Sequence, residues 1–531
     1  MFNPTFEFCK RTLPNVLRYR AQSTPNEVFL EFGDRRLTFS WIAAEADRIA
    51  AGLAVRGIRA GDHVATLLPN SVEAITVWFG IARLGAVDVP VNVHLRGEGL
   101  VHQLRDCGAR VLFLTEAVQA HVVSALGSDI EMDFIVVDRD DAVPPASTFA
   151  ALGEGTSTAL PEIESIACTD ISSILYTSGT TGLPKGVMMS HHYLYHYTRG
   201  LVDLMPMKSD DRVMMVLPLY HTNPKLFVYG ALISGAAVLL RESFSVSMFW
   251  DDVRRSRATV IDCLGVMPSV LSKLPEEPNE RDTSVRVAYM VPCPPDMHAN
   301  FTRRFGFEIF NSYGSTETNC PVHFTADCDA KKVGSAGRRW GPIDFRVVDQ
   351  NDFEVPAGEV GEIVTRPSEP WTMFSGYWNR PEETVRAWRN LWFHTGDSGY
   401  VDSDGYLWFV GRIKEAIRRS GEMLSAAEVE RALDSHPSIA ESAVVGVPSE
   451  FGDDEVKAVV VMKPGAVLAP EDLLTFLEGK VAYFMVPRFV EFRASLPKTP
   501  SARIEKYKLI PTDPCVPVWD RVAAGYRVSR S

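Results

Sequence analysis

The stretch Tyr176-Thr-Ser-Gly-Thr-Thr-Gly-Leu-Pro-Lys-Gly-Val187 decides how this chain is read. It follows an apolar, strand-like segment, Ser172 to Leu175, and precedes a helix-like run. Gly179 and Gly182 let the backbone come close to a polyphosphate. The backbone N–H groups, the hydroxyls of Thr177, Ser178, Thr180 and Thr181, and the Lys185 ammonium can all face phosphate oxygens. A flexible surface turn is the plain alternative. Three Gly, three Thr, one Ser and one Lys within twelve residues argue against it. The run is not a Walker A loop, because Pro184 stands where that motif needs Gly before Lys. A phosphate loop of another kind is the expectation.

Around the loop, helical and strand patterns alternate. Ser40 to Gly57 reads as an amphipathic helix, His63 to Leu68 as a buried strand, Ser71 to Leu84 as a helix and Ala86 to Val91 as a strand. Strand, helix and strand at this spacing predict a βαβ unit in a largely parallel sheet. Val213 to Leu217, Ala237 to Leu240 and Thr259 to Cys263 continue the pattern. After about Gly334, short strands at Phe345 to Val348, Gly361 to Thr365 and Tyr406 to Val410 stand between Gly, Pro and Asp turns, predicting a β-rich subdomain. A last α+β unit begins near Gly411. Ser425 and Glu428 form a capping box that opens a helix to about Ser435. Strands follow at Ala443 to Val447 and Val456 to Met462, with a helix over Pro470 to Lys480. The fold class is therefore α/β: a large domain over 1–410 with parallel-rich sheets and a β-rich subdomain, then a small α+β domain over 411–531.

With 531 residues, 46% hydrophobic and 23% charged, the chain can bury several cores. A net charge of −13 argues against general affinity for nucleic acid or anionic lipid. No run approaches the length of a membrane span, and the N-terminus lacks a secretory h-region. None of the eight cysteines forms a C-x-x-C pair, which fits reduced thiols in the cytoplasm.

Five further motifs follow in order: NSYGSTET (311–318), GYW (376–378), WFHTGD (392–397), GRIKEAIRRSGEMLSAAEVE (411–430) and LPKTPSARIEK (496–506). Together with 176–187 they cover nearly the whole length, and in them the chain resembles the adenylate-forming superfamily of acyl-CoA synthetases, adenylation domains and luciferases. Met290-Val-Pro-Cys-Pro-Pro295, GEMLSAAEVE and Arg241 to Trp250 look most similar to the crotonobetaine/carnitine–CoA ligase branch.

The resemblance implies an ATP-dependent carboxylic acid–CoA ligase, with ATP, Mg²⁺ and CoA as partners of the acid. Asn311, Ser312, Tyr313 and Gly314 would contact the nucleotide, with Tyr313 stacked on adenine. Thr316 would contact the α-phosphate and Glu317 would hold Mg²⁺, a hard cation suited to a carboxylate. Asp397 would accept from the ribose hydroxyls, with Arg412 beside it. Lys414 falls at the family's hinge, about which the small domain swings between an adenylating and a thioester-forming pose. Gly421 would line the pantetheine tunnel. His221 would stand at the acyl tunnel; a core or capping histidine is the competing reading. Relatives are commonly dimers.

The chain departs from the family at Ala502-Arg503, where Gly-Lys is usual. That lysine bridges carboxylate and α-phosphate. Arg503 keeps the charge with a wider, planar head, and Lys506 is the other candidate. Slow adenylation is the third outcome, and with it a nucleotide-binding protein without turnover. A carrier protein or an amine as acyl acceptor is the runner-up. Asn223 and Lys225 are candidates for the acid pocket, Lys225 being expected to face solvent unless it pairs with a second carboxylate. His192 and His196 read as solvated or packing residues, and Cys320 is no evident nucleophile.

Overall fold

The computed structural model describes residues 4–528 except 96, 128–131, 140–145, 154–158, 178–183, 266, 414–415, 420–421, 449–453, 479, 482, 499–503 and 511–516. The chain divides into two compact units. The first comprises residues 1–345 and 365–393, the second 346–364 and 394–531.

Among the described residues, the first unit contains a seven-stranded and a nine-stranded sheet. In the smaller, Ala146–Thr148, Asp133–Val136, Val111–Leu114, His63–Leu67, Val87–Pro90 and Ile171–Thr177 run parallel, and Lys185–Ser190 closes the edge antiparallel. In the larger, Glu308–Ser315, Val287–Val291, Val260–Leu264, Arg212–Met215, Ala237–Leu240 and Val28–Phe32 are parallel, with antiparallel strands at both edges. The βαβ unit expected at 63–91 is present. Ser71 caps its helix, Val72–Leu84, by accepting from the Ala74 N–H, and Gly85 ends it in the left-handed region at φ +76°.

That helix is apolar on nearly every side. Val72, Ile75, Trp78, Phe79 and Ala82 enter one core, while Val77, Ile81 and Leu84 enter another. Thr222–Ser234 is likewise buried along almost its whole length. A helix without a solvated face lies inside a domain, and this corrects the expectation for Lys225. Its side chain is 3% exposed, ion-paired to Asp88 of the central strand Val87–Pro90, with the Trp78 ring centroid 4.2 Å from Nζ. The Ser173 hydroxyl donates to the same Asp88 carboxylate at 3.1 Å. Burial lowers the Lys225 pKa, and Asp88 opposes that shift. Lys225→Ala leaves a buried carboxylate without its cation and is expected to cost ~3–5 kcal/mol, whereas Lys225→Met with Asp88→Leu costs markedly less. Urea unfolding of both variants checks this.

The run after the phosphate loop is a strand rather than a helix. Val187 and Met189 enter one core and Met188 packs on another, which is the two-residue period of a strand. The helix begins only at His191, where the Ser190 hydroxyl accepts from the Tyr193 N–H. The loop therefore joins two antiparallel strands.

The second unit carries the β-rich part and the last α+β part. Ile439–Pro448, Asp454–Met462, Phe489–Arg493 and Val518–Asp520 form one sheet, and Ala426–Asp434 and Pro470–Leu477 pack into its core. The Ser425 side chain expected to cap the first of these helices lies outside the described residues. Among the described residues, no helix is long and apolar enough to cross a membrane.

Candidate active site

Thr177 ends its strand directly opposite Lys185 in the antiparallel register. Ser178, Gly179, Thr180, Thr181 and Gly182, between them, lie outside the described residues. Lys185 thus stands at the base of the loop. Its ammonium pairs with the Glu383 carboxylate and lies 5.0 Å from the Tyr377 ring centroid. The segment carrying Tyr377 is fastened to the same strand. The Met188 N–H donates to the Gly376 carbonyl at 3.0 Å, and the Trp378 N–H to the Gly186 carbonyl at 2.7 Å.

Thr316 and Glu317 form the turn between Glu308–Ser315 and Asn319–Phe324. The Ser315 N–H donates to the Thr318 hydroxyl, and the Glu317 N–H to the Ser315 hydroxyl. Gly314 is fixed by this hairpin itself, since a Cβ there would meet the Asn319 carbonyl oxygen at 2.2 Å. The Thr316 hydroxyl lies 3.1 Å from that of Thr222, and its carbonyl accepts from the Tyr193 hydroxyl at 2.8 Å. The half-buried Glu317 accepts from the Tyr377 hydroxyl at 3.1 Å. Burial and then Glu317 raise the Tyr377 pKa, so the phenol stays protonated as a donor. Tyr377 therefore touches both the phosphate-loop lysine and the carboxylate expected to hold Mg²⁺.

Asn311 and Ser312 turn polar atoms into the protein. Asn311 donates to the Ser335 carbonyl at 3.2 Å, and Ser312 meets Tyr289 and Cys320. Tyr313 is buried. Cys320 is buried too, with its thiol pKa raised by desolvation, as suits an inert thiol. His221 precedes the helix Thr222–Ser234 but makes no side-chain cap. The residue is exposed overall, its ring lies 4.7 Å from that of Tyr220, and desolvation lowers its pKa to about 4. The imidazole is neutral at physiological pH.

His192 and His196 pack rather than meet solvent. His192 lies 4.7 Å from Phe8, and His196 lies 5.7 Å from Trp340. Desolvation lowers His191, His192 and His323 to about 4, below the unfolded value near 6.5. Their stabilising contribution is thus complete above pH 6.5 and is lost as pH falls toward 4. Stability is expected to fall over that window, by up to ~1.4 kcal/mol per pH unit for each histidine. Denaturant melts across pH 4–7 check it.

In the second unit, Asp397 and Arg412 are cross-strand neighbours, and Arg412 Nε lies 3.3 Å from Asp397 Oδ1. The Asp397 side chain is buried and Arg412 is partly exposed. Lys506 Nζ lies 2.9 Å from Glu430 of the helix Ala426–Asp434. Lys414, Gly421 and Arg503 lie outside the described residues.

Among the described residues, no group of three or more His, Cys, Asp or Glu is placed to hold a metal by itself. A lone carboxylate such as Glu317 fits Mg²⁺, which characteristically takes one or two carboxylates and completes its shell with phosphate oxygens and water. Sequence reasoning missed Tyr377, Glu383, Tyr193 and Thr222. GYW was a recognisable motif, but nothing in it announces which groups Tyr377 touches.

The AMP-binding enzyme family matches residues 17–378, and the AMP-binding enzyme C-terminal domain matches residues 428–503. A crotonobetaine/carnitine–CoA ligase of Salmonella agona is 33% identical over 482 residues, covering 90% of this chain and 93% of its own. The ATP-bound MatB of Rhodopseudomonas palustris superposes with a TM-score of 0.84 at 27% identity, over 94% of this chain and 98% of that one. The o-succinylbenzoate CoA synthetase MenE of Bacillus subtilis, in complex with its acyl-adenylate OSB-AMP, gives 0.81 at 26% over the same shares. Matched by that family's model over most of its length and by a relative 33% identical over 90% of it, the chain belongs to the AMP-binding enzyme family.

Proposed function

We propose that the protein is an ATP-dependent carboxylic acid–CoA ligase, converting acid, ATP and CoA through an acyl-adenylate to acyl-CoA, AMP and pyrophosphate. The observation that carries this reading is the meeting of Lys185 and Glu317 on Tyr377, in a chain whose relatives include CoA ligases. Lys185 and the loop hydroxyls receive the phosphates. Mg²⁺, when bound, offsets charge on the phosphate oxygens, and Glu317 holds it. Thr316 faces the α-phosphate, Tyr313 the adenine, and Asp397 accepts from the ribose hydroxyls with Arg412 bracing its carboxylate. The carboxylate of the acid attacks the α-phosphorus and pyrophosphate leaves. The CoA thiol, having lost its proton, then attacks the acyl carbonyl and AMP leaves.

His221, neutral and at the cleft, serves as a wall of the acyl entrance. Lys414 is the hinge, and Gly421 belongs to the pantetheine path. Arg503 is the cation that orients the acid during adenylation. Lys506 is already committed to Glu430. The free thiols among the described residues fit a reducing compartment, the cytoplasm. A homodimer is the assembly that the resemblance suggests, and light scattering tests it.

Pyrophosphate release from MgATP, run against carnitine-like, short-chain, medium-chain, aromatic and steroid-type acids with and without CoA, tests the function. CoA-dependent turnover with one class supports the ligase and names its acid. Release that needs the acid but not CoA points to a carrier protein or amine as acceptor. Silence across the panel with ATP still bound favours the nucleotide-binding protein without turnover.

A further inference from the structure

Two cations and three carboxylates meet around Tyr377. The Lys185 ammonium is paired with Glu383. Glu383 also faces Arg380, whose Nε lies 3.8 Å from its other oxygen. Arg380 in turn reaches Asp106 at 3.1 Å, and Asp106 accepts from the Tyr176 hydroxyl at 2.6 Å. Glu317 joins through the Tyr377 hydroxyl. Glu383 is thus held on two sides, with one carboxylate oxygen on the Lys185 ammonium. The pair is about one-third exposed, so an incoming polyanion can reach it.

We propose that Glu383 is a positioning residue that occupies Lys185 in the free enzyme and must yield it to the nucleotide's phosphates, so that it sets the affinity for ATP and its dependence on a divalent cation. The inference rests on the reading of Lys185 as a phosphate ligand. An excess of carboxylate charge repels free ATP more strongly than ATP neutralised by Mg²⁺. Glu383 therefore discriminates against the metal-free nucleotide, and its loss narrows the difference between the two forms. The neighbouring Glu382 is exposed and makes no ion pair with Lys185 among the described contacts, so it serves as a charge control.

The test is calorimetric titration of ATP into the whole protein, in EDTA and in Mg²⁺, with thermal melts of each variant. Glu383→Gln is expected to tighten metal-free ATP by ~3–5-fold at low salt, the worth of a partly exposed ion pair. The gain shrinks in about 0.5 M salt. MgATP gains less. Glu382→Gln changes neither value, and in a Lys185→Ala background Glu383→Gln loses most of its effect. Glu383→Ala substitutes if the glutamine variant melts early. Unchanged or weaker binding by a folded Glu383 variant, beside a wild type that binds ATP, overturns the inference alone. A wild type that does not bind ATP overturns the phosphate-site reading and this inference with it. An equal gain in Glu382→Gln also overturns it, because the effect would then be general charge.

Discussion

Arg503→Ala is expected to lower acid-dependent pyrophosphate release by ~10²–10³-fold, the scale of removing one preorganised group that stabilises charge in a transition state. Lys506→Ala changes it by less than about threefold, the scale of a partly exposed ion pair. The contrast follows from what already neutralises Lys506 and from the family position that Arg503 resembles. Lys506 is tied to Glu430, whose carboxylate also accepts from the Val444 N–H at 2.6 Å. An ammonium neutralised in this way offers little field to a substrate carboxylate, and its removal chiefly breaks the ion pair that ties Lys506 to Glu430 of Ala426–Asp434. Arg503 is the residue aligned with the family's bridging lysine, and a guanidinium can hold a carboxylate and a phosphate at once. Arg503→Lys is expected to retain most of the rate. Single-turnover adenylation and the thioester half-reaction, measured separately, locate the loss in the first step. A large loss in Lys506→Ala with a mild one in Arg503→Ala would assign the role to Lys506 instead.

Glu317→Gln is expected to have the second large effect, a fall of ~10²–10³ in kcat together with a raised Mg²⁺ requirement. Glutamine keeps the shape and still accepts from the Tyr377 hydroxyl, so the fold is spared and the charge alone is lost. Tyr377→Phe is milder, because the ring stays under Lys185 while Glu317 loses one hydrogen bond, worth ~1 kcal/mol or several-fold in rate. A Mg²⁺ titration of each variant separates the two. A Glu317→Gln enzyme with an unchanged Mg²⁺ requirement would place the ion elsewhere.

Much of this was legible in the sequence, because the signals concerned are local. The βαβ unit at 63–91 follows from apolar periodicity and from Ser71 and Gly85 at the helix ends. Hydroxyls, glycines and Lys185 in one short run announce phosphate wherever the run ends up. Asp397 and Arg412 stand out in the sequence but their contact does not, since fourteen residues and a turn separate them in the chain and only antiparallel register sets them opposite.

What tertiary structure decided is the company each side chain keeps. Lys225 reads as a solvent-facing lysine because a charged residue is seldom buried. It is inside because its helix has no solvated face and Asp88 waits on the neighbouring sheet. The segment after the phosphate loop reads as helix until Val187 and Met188 are seen to enter different cores. Gly314 reads as a glycine kept for a ligand, and the hairpin's own backbone already excludes a side chain there. Lys185 is more than 130 positions from each of Glu317, Tyr377 and Glu383, so no pattern in the chain couples them. Their meeting depends on one strand edge receiving both the loop hairpin and the 375–378 segment. Local pattern along the chain carries the fold class and the candidate residues of the site. Only the packed chain decided which charges neutralise one another, because Coulomb energy depends on distance in space and not along the chain.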